Sequence, residues 1–266
     1  MKIVFSRKGF DTGSGGCPSP ILEGIPVSLP IPSGPAEPSR YRDLVHPFAG
    51  PMGPIVEAAT GGRIPARRWA HADPVLPGAP GPAALGQQGA AQSHLDNQGV
   101  DVGDVFVFFG LFRAPAGALV PGHPDLRPHH RIFGSLRIEQ KLVLGETPDP
   151  ADPRVTIWAR HPHVARGSET ANNTLWIGTG RSAARADPGL RLTRTGAAGP
   201  SGWQIPPWLT ETGLSYHGRA DRWSQDGAAH HLAAVARGQE FVADIGDDAG
   251  HPAHAWLAGI DSLLLE

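Results

Sequence analysis

The residues able to do chemistry in this chain fall into three separated stretches. Near the start, Ser6-Arg7-Lys8-Gly9-Phe10-Asp11 sets adjacent cations beside a hydroxyl and a carboxylate, and Gly13, Gly15 and Gly16 follow at once. A glycine-rich loop after a strand can meet an anion such as a nucleotide phosphate with backbone amides and cations together. The second stretch gathers Gln87, Gln88, Gln92, Ser93, His94, Asp96, Asn97 and Gln98. A carboxamide offers a donor and an acceptor side by side, as a nucleobase edge does. The third, Arg237-Gly238-Gln239-Glu240, adds a cation, an amide and a carboxylate at the start of an alternating segment. Ser6, Arg7, Lys8, Gln87, Gln92, Gln98, Arg237 and Gln239 are the expected phosphate or base contacts. Asp11, His94 and Glu240 are the expected acid–base groups, because proton transfer needs a carboxylate or imidazole near the reacting atom. Two structural readings compete: a polar loop bonding its own backbone around Gln87–Gln98, and a buried Arg237–Glu240 ion pair.

Other chemistries find less support. His161-Pro162-His163 and His129-His130 invite a metal, but neither matches the spacing of a zinc helix or finger, so no metal site is expected and no cofactor is named. The single cysteine, Cys17, excludes an internal disulfide and any multi-cysteine centre. There is no G-x-S-x-G elbow and no Walker loop. Gly178-Thr179-Gly180-Arg181 imitates a dinucleotide fingerprint, but Pro188 comes too soon for the helix that motif requires.

The elements that must position these residues are mostly strands. Val105-Phe106-Val107-Phe108-Phe109-Gly110-Leu111-Phe112 is a continuous β-branched and aromatic run, as expected of a strand buried on both faces. Ile132 to Val143 alternates and predicts its neighbour, and short strands are expected at Val155–Trp158 and Asn172–Thr179. Gly53–Thr60 predicts a short helix ended by Gly61-Gly62. The alanine-rich Ala228–Ala236 predicts another helix, and Pro252–Leu265 an amphipathic closing one. With 35 glycines and 28 prolines among 266 residues, long loops are expected, while seven tryptophans and nine phenylalanines argue for a real core. A net charge of −2 excludes a global basic field for duplex DNA. No run is long enough to span a bilayer and no signal segment is evident, so no membrane association and a cytoplasmic location are expected. The chain reads as a single domain over 1–266.

Two resemblances sharpen this. Val102-Gly103-Asp104-Val105-Phe106, followed by Ile132-Phe133-Gly134-Ser135-Leu136-Arg137-Ile138, resembles the strand pair of PUA-like and EVE domains over residues 100–145. It implies an α+β, mostly β fold: a partly open PUA-like β-barrel with long loops and a C-terminal helix, its mouth holding a base. Nearly the whole chain resembles the nucleotide modification associated domain 3 family of bacteria and phages. Ser6-Arg7-Lys8-Gly9-Phe10-Asp11, Gly86-Gln87-Gln88-Gly89-Ala90-Ala91-Gln92, His161-Pro162-His163, Tyr216-His217 and Gln239-Glu240-Phe241-Val242 carry that resemblance. The family's histidine-leucine-aspartate motif is altered here to His71-Ala72-Asp73, which weakens the case for a role there. The resemblance implies a component of a base-modification system, of the kind found in phages and phage defence. Its expected partners are a nucleotide or nucleic acid and the other proteins of such a system. Transfer or hydrolysis at a base or its glycosidic bond is the leading reading. A non-catalytic reader of a modified base and a partner-binding subunit remain as alternatives.

Overall fold

The computed structural model describes residues 1–149, 151–235 and 240–265. Its main sheet is built from β1 (Lys2–Arg7), β2 (Gly81–Gln87), β3 (Val105–Arg113), β4 (His129–Val143), β5 (Thr174–Ser182) and β6 (Glu240–Asp244). Their order across the sheet is β6-β1-β3-β4-β5-β2. Along this path β1 and β3 run parallel and the other neighbours antiparallel, and the short strand Ser19–Leu22 also pairs parallel with the end of β3, off the path. The helices that matter for the site are α1 (Met52–Thr60), α2 (Gly89–Asn97), the single turn α3 (Pro162–Ala165) and α4 (Pro252–Leu265).

Strand β3 lies inside the sheet and is buried at every residue but Arg113. Its alternate side chains enter two different apolar layers. Val105, Val107 and Phe109 join Ile3, Phe5, Phe241 and the inner face of α4. Phe106, Phe108 and Phe112 join Val4, Leu85, Leu95, Trp176 and Val242 on the other side. This two-sided burial is why the sequence has no polar alternation here. Each Phe so enclosed contributes about 1.5–3 kcal/mol relative to exposure.

The sheet does not close. Among the described residues no backbone ladder joins β6 to β2, so the fold is mixed α/β and mostly sheet, with no closed barrel. It curls enough for its two outer strands to touch through side chains, because Gln87 at the end of β2 donates to Glu240 at the start of β6. A third apolar cluster, with Phe10, Val27, Leu29, Tyr41 and Val56, ties α1 to the loops between β1 and β2. Beside Ala70 of this cluster, Ile31 pairs with His71, which returns the chain toward the sheet. Helix α1 ends as expected at Gly61, whose φ of 59° is left-handed.

The glutamine-rich stretch, which the sequence leaves open between a ligand-facing segment and a polar loop, is helical over Gly89–Asn97, α2. Two expected elements differ. Ala229–Ala233 is a strand between Gly202–Ile205 and Trp223–Asp226. Asp226-Gly227 opens a two-residue hairpin there, with Gly227 at φ 57°, and the turn overrides the helix preference of alanine. Pro153–Thr156 is a helical turn, capped by the Asp152 side chain accepting from Arg154 N–H, where a strand is expected from Val155. No helix among the described residues is long and apolar enough to cross a membrane.

Candidate functional site

Register builds the first half of the site. Antiparallel pairing sets Ser6 opposite Glu240 and Val4 opposite Val242, so Ser6 and Glu240 continue the face that carries the second apolar layer. Ser6 Oγ donates to Glu240 Oε1 at 3.1 Å. Lys8 follows β1, held by its own N–H donating to Phe109 O at 2.8 Å, and its Nζ reaches the same Oε1 at 3.1 Å. Gln87 Nε2 supplies a further donor from the far edge of the sheet. Glu240 Oε1 thus gathers three donors, while Oε2 is buried with none. Burial pushes the Glu240 carboxyl above its ordinary value, opposed by the Lys8 charge and the Ser6 hydroxyl.

The second half comes from segments that sequence reasoning left aside. Asp73 Oδ1 accepts from Gly86 N–H at 2.9 Å and contacts His161 Nε2 at 3.1 Å. His161 Nδ1 accepts from the backbone N–H of His163 at 3.3 Å, so the His161 proton sits on Nε2 and is given to Asp73. Burial would raise the Asp73 carboxyl, but the His161 bond and the nearby Lys8 charge hold it well below the usual carboxylate range. Glu37, buried as well, accepts on Oε1 from Ser33 Oγ at 3.0 Å and meets His71 Nδ1 at 3.1 Å and Arg166 Nη1 at 3.3 Å. These contacts outweigh the upward push of its burial and hold its carboxyl below the ordinary value.

His163 is fixed most tightly. Asn173 Nδ2 donates to Gly145 O and to His163 O, so Asn173 Oδ1 is the acceptor that faces His163 Nδ1 at 2.7 Å. The His163 proton therefore sits on Nδ1, and its Nε2 carries a lone pair. Burial pushes this imidazole down to about 4, so it is neutral near pH 7. The ring lies against Gly86, where an added Cβ would sit 2.2 Å from His163 Cδ2. Only glycine lets the end of β2 pass that ring.

Together these groups line a cleft of about 510 Å³, within the size range of a small-molecule site. Arg7, Lys8 and Asp11 form one wall; Gln87, Gln88 and Ala91, at the end of β2 and the start of α2, form another. Glu37, His71, Asp73, His163 and Arg166 complete it. A larger cleft of about 780 Å³ lies on the other side of the sheet, with Arg131, Arg191 and Trp256 among its lining residues. Its Arg131 and Arg191 are committed to Asp125, and none of the expected site residues reaches it.

The expected residues part company accordingly. Ser6, Lys8, Gln87 and Glu240 converge, with Arg7 and Asp11 on the adjoining wall. Arg7 also donates to Val235 O at 3.1 Å and lies over the Phe109 ring. Asp11 accepts from Gly13 and Ser14 N–H, shaping its own loop. Gln92 is fully buried: its amide accepts from Trp176 Nε1 at 3.1 Å and donates to Asp96 at 2.9 Å, away from the cleft. His94 contacts Ser215 Oγ at 3.0 Å and stacks near Tyr216. Gln98 is exposed at the end of α2. Arg237 and Gln239 lie outside the described residues. Glu37, His71, Asp73 and Arg166 were missed as site members. His71-Ala72-Asp73 and His161-Pro162-His163 are each visible as short motifs, but nothing in the sequence shows that residues 88 apart meet.

The fold is thus a mixed, mostly β sheet with a buried carboxylate–lysine pair and a histidine-rich polar cleft at its curled edges. The family model described as nucleotide modification associated domain 3 matches residues 2–244, and the chain belongs to that family. Neither the curated proteins nor the solved structures contain a match to it.

Proposed function

We propose that the chain is the nucleotide-handling component of a base-modification system and acts on a nucleotide, or on a base of a nucleic acid, seated in this cleft. The observation that carries the reading is convergence. Cations from the β1 loop, carboxamides from the end of β2, and titratable Asp73, Glu37 and His163 meet in one cavity of nucleotide-like size. Family membership supplies the nucleotide context. Gln87 and Gln88 suit the base or ribose, and Arg7 with Lys8 suits the phosphate.

Catalysis is favoured over mere recognition by what lines the cleft. Its lining sets Glu37 and Asp73 beside His71 and His163, titratable groups that recognition alone does not require. Carboxylates and imidazoles in fixed protonation states suit transfer or hydrolysis at the base or its glycosidic bond. Glu240 sits just beneath the surface, where it aims Lys8 and Gln87.

The test is incubation with nucleotides and with plain and modified DNA, reading binding by calorimetry and products by mass spectrometry. A product, or saturable nucleotide binding weakened about fivefold by Gln88→Ala, is expected. Tight binding of a modified base with no product favours the reader. Absence of both binding and product sinks the assignment of this cleft.

A further inference from the structure

His71, Asp73 and His163 each turn one ligand-competent atom to a common point, and these atoms all lie within 4.8 Å of one another. The hydrogen bonds around them identify the atoms. His71 Nδ1 faces the carboxylate of Glu37, which can only accept when ionised, so that nitrogen is protonated and Nε2 holds the lone pair. His163 Nδ1 is committed to Asn173, which leaves Nε2. Asp73 Oδ1 takes N–H groups from Gly86 and His161, which leaves Oδ2, 3.9 Å from His71 Nε2. That separation is too long for a hydrogen bond. The two rings stand 5.4 Å apart between centroids.

Two imidazole lone pairs and a carboxylate oxygen therefore converge. Lys8 is the nearby cation that bears on Asp73, and an ion set among the three atoms would relieve their mutual repulsion directly. The surroundings repeat what metal-ligating side chains need: each ligand has its far atom engaged, Glu37 to His71, Asn173 to His163, and Gly86 with His161 to Asp73. Glu37 Oε2 is buried without a hydrogen-bond partner beside this group, an acceptor available to a metal-bound water.

We propose that His71, Asp73 and His163 bind a divalent first-row transition-metal ion, with its remaining coordination positions open to the cleft. Two nitrogens and one oxygen select this class over Mg²⁺ or Ca²⁺, which favour oxygen throughout. Ligand atoms about 2.0–2.2 Å from a metal lie roughly 3–3.5 Å from each other, so binding requires each side chain to close by less than about 1 Å. Three protein ligands leave room for water or substrate, the pattern of catalytic centres and not of closed structural ones. An ion there would polarise a phosphate or base oxygen, or lower the pKa of a bound water. Its role toward a nucleotide rests on the function proposed above; its binding does not.

The test uses the full, tag-free chain, stripped with chelator and then dialysed against Zn²⁺, Mn²⁺ or Co²⁺ alone. Close to one equivalent of tightly held metal is expected by elemental analysis, with a visible Co²⁺ spectrum in the wild-type protein. His71→Ala and His163→Gln are each expected to weaken Zn²⁺ binding by about 100-fold or more. Gly86→Ala, which alters no ligand, is expected to weaken it as well by displacing the His163 ring. No stoichiometric uptake of any of the three ions by the folded wild-type chain overturns the proposal. So does uptake that the folded His71→Ala and His163→Gln chains retain unchanged. Nucleotide binding measured separately in chelator keeps the two claims apart. Nucleotide bound without metal uptake removes the ion and spares the cleft. Stoichiometric metal without nucleotide binding does the reverse.

Discussion

Replacing Lys8 by Met tests how the first half of the site is held together. Lys8 Nζ and Glu240 Oε1 are 3.1 Å apart, with side chains only 10% and 1% exposed. Removing one partner of a buried pair costs about 3–5 kcal/mol, because the other charge is left without compensation. Glu240 keeps the donors from Ser6 and Gln87, which places the expected loss near the low end, about 3 kcal/mol at pH 7.5. The penalty should depend on pH. Glu240 is already raised from 4.5 by burial, and Lys8 is the leading influence holding it down. Without Lys8 the carboxyl rises further. A carboxyl raised on folding contributes its stability fully below the unfolded value and loses it as pH rises through the folded one. The difference between Lys8→Met and wild type should therefore be smaller at pH 5 than at pH 7.5. Urea unfolding followed by tryptophan fluorescence at both pH values measures it. Adding Glu240→Gln to Lys8→Met should restore most of the loss, since no charge is then buried alone. A loss below about 1 kcal/mol that is flat with pH would falsify the account of a buried, mutually dependent pair.

Two further outcomes follow from residues away from the cleft. Gln92→Leu should cost about 1–3 kcal/mol, because the buried Trp176 Nε1 loses its acceptor; calorimetry should show unchanged nucleotide affinity, and a large loss of affinity would return Gln92 to the site. His130 is buried, accepts from Trp203 Nε1 at 2.9 Å, and is pushed down to about 3 by that burial. Its unfolded form takes a proton near 6.5, so its contribution is present above that pH and drains away as pH falls toward 3. Chemical denaturation should show stability falling below pH 6.5 by up to about 1.4 kcal/mol per unit from this group. His130→Gln should flatten that slope, and an unchanged slope would contradict the buried neutral imidazole.

What could be read from the sequence was what depends on local pattern. The apolar run of β3, the existence of β4, the glycine stop after α1 and the closing helix α4 all follow from burial periodicity and turn chemistry. The two-faced alternation expected of β4 does not hold: His129 to Leu136 are all buried, and a bulge between Ile132 and Gly134 sends Ile132 to the opposite layer from Leu136 and Ile138. Ala229–Ala233 was not legible, because partner strands on either side decide its state against its own propensity. In the site, Ser6, Lys8, Gln87 and Glu240 stood out by residue type, and the curl of the sheet brings them together. His163 stood out only as part of the His161-Pro162-His163 motif, and Asp73 and Glu37 did not stand out. Their chemistry comes from partners such as Asn173 and His161, supplied by segments that pack with Val155, Trp158 and Leu175 and that pass β2 through one missing Cβ at Gly86.

The contact between Ser6 and Glu240 spans 234 residues. At about 5–20 residues per second on a ribosome, roughly 12 to 47 s separate the emergence of these two partners. Throughout that interval β1 has a bare edge, where β6 will later pair, and Ser6 and Lys8 lack the carboxylate that orders them. Every residue that lines the cleft, from Arg7 to Arg166, is made well before the carboxylate beneath it. A nascent chain can thus carry the whole lining of the cleft and still lack the group that aims Lys8 and Gln87.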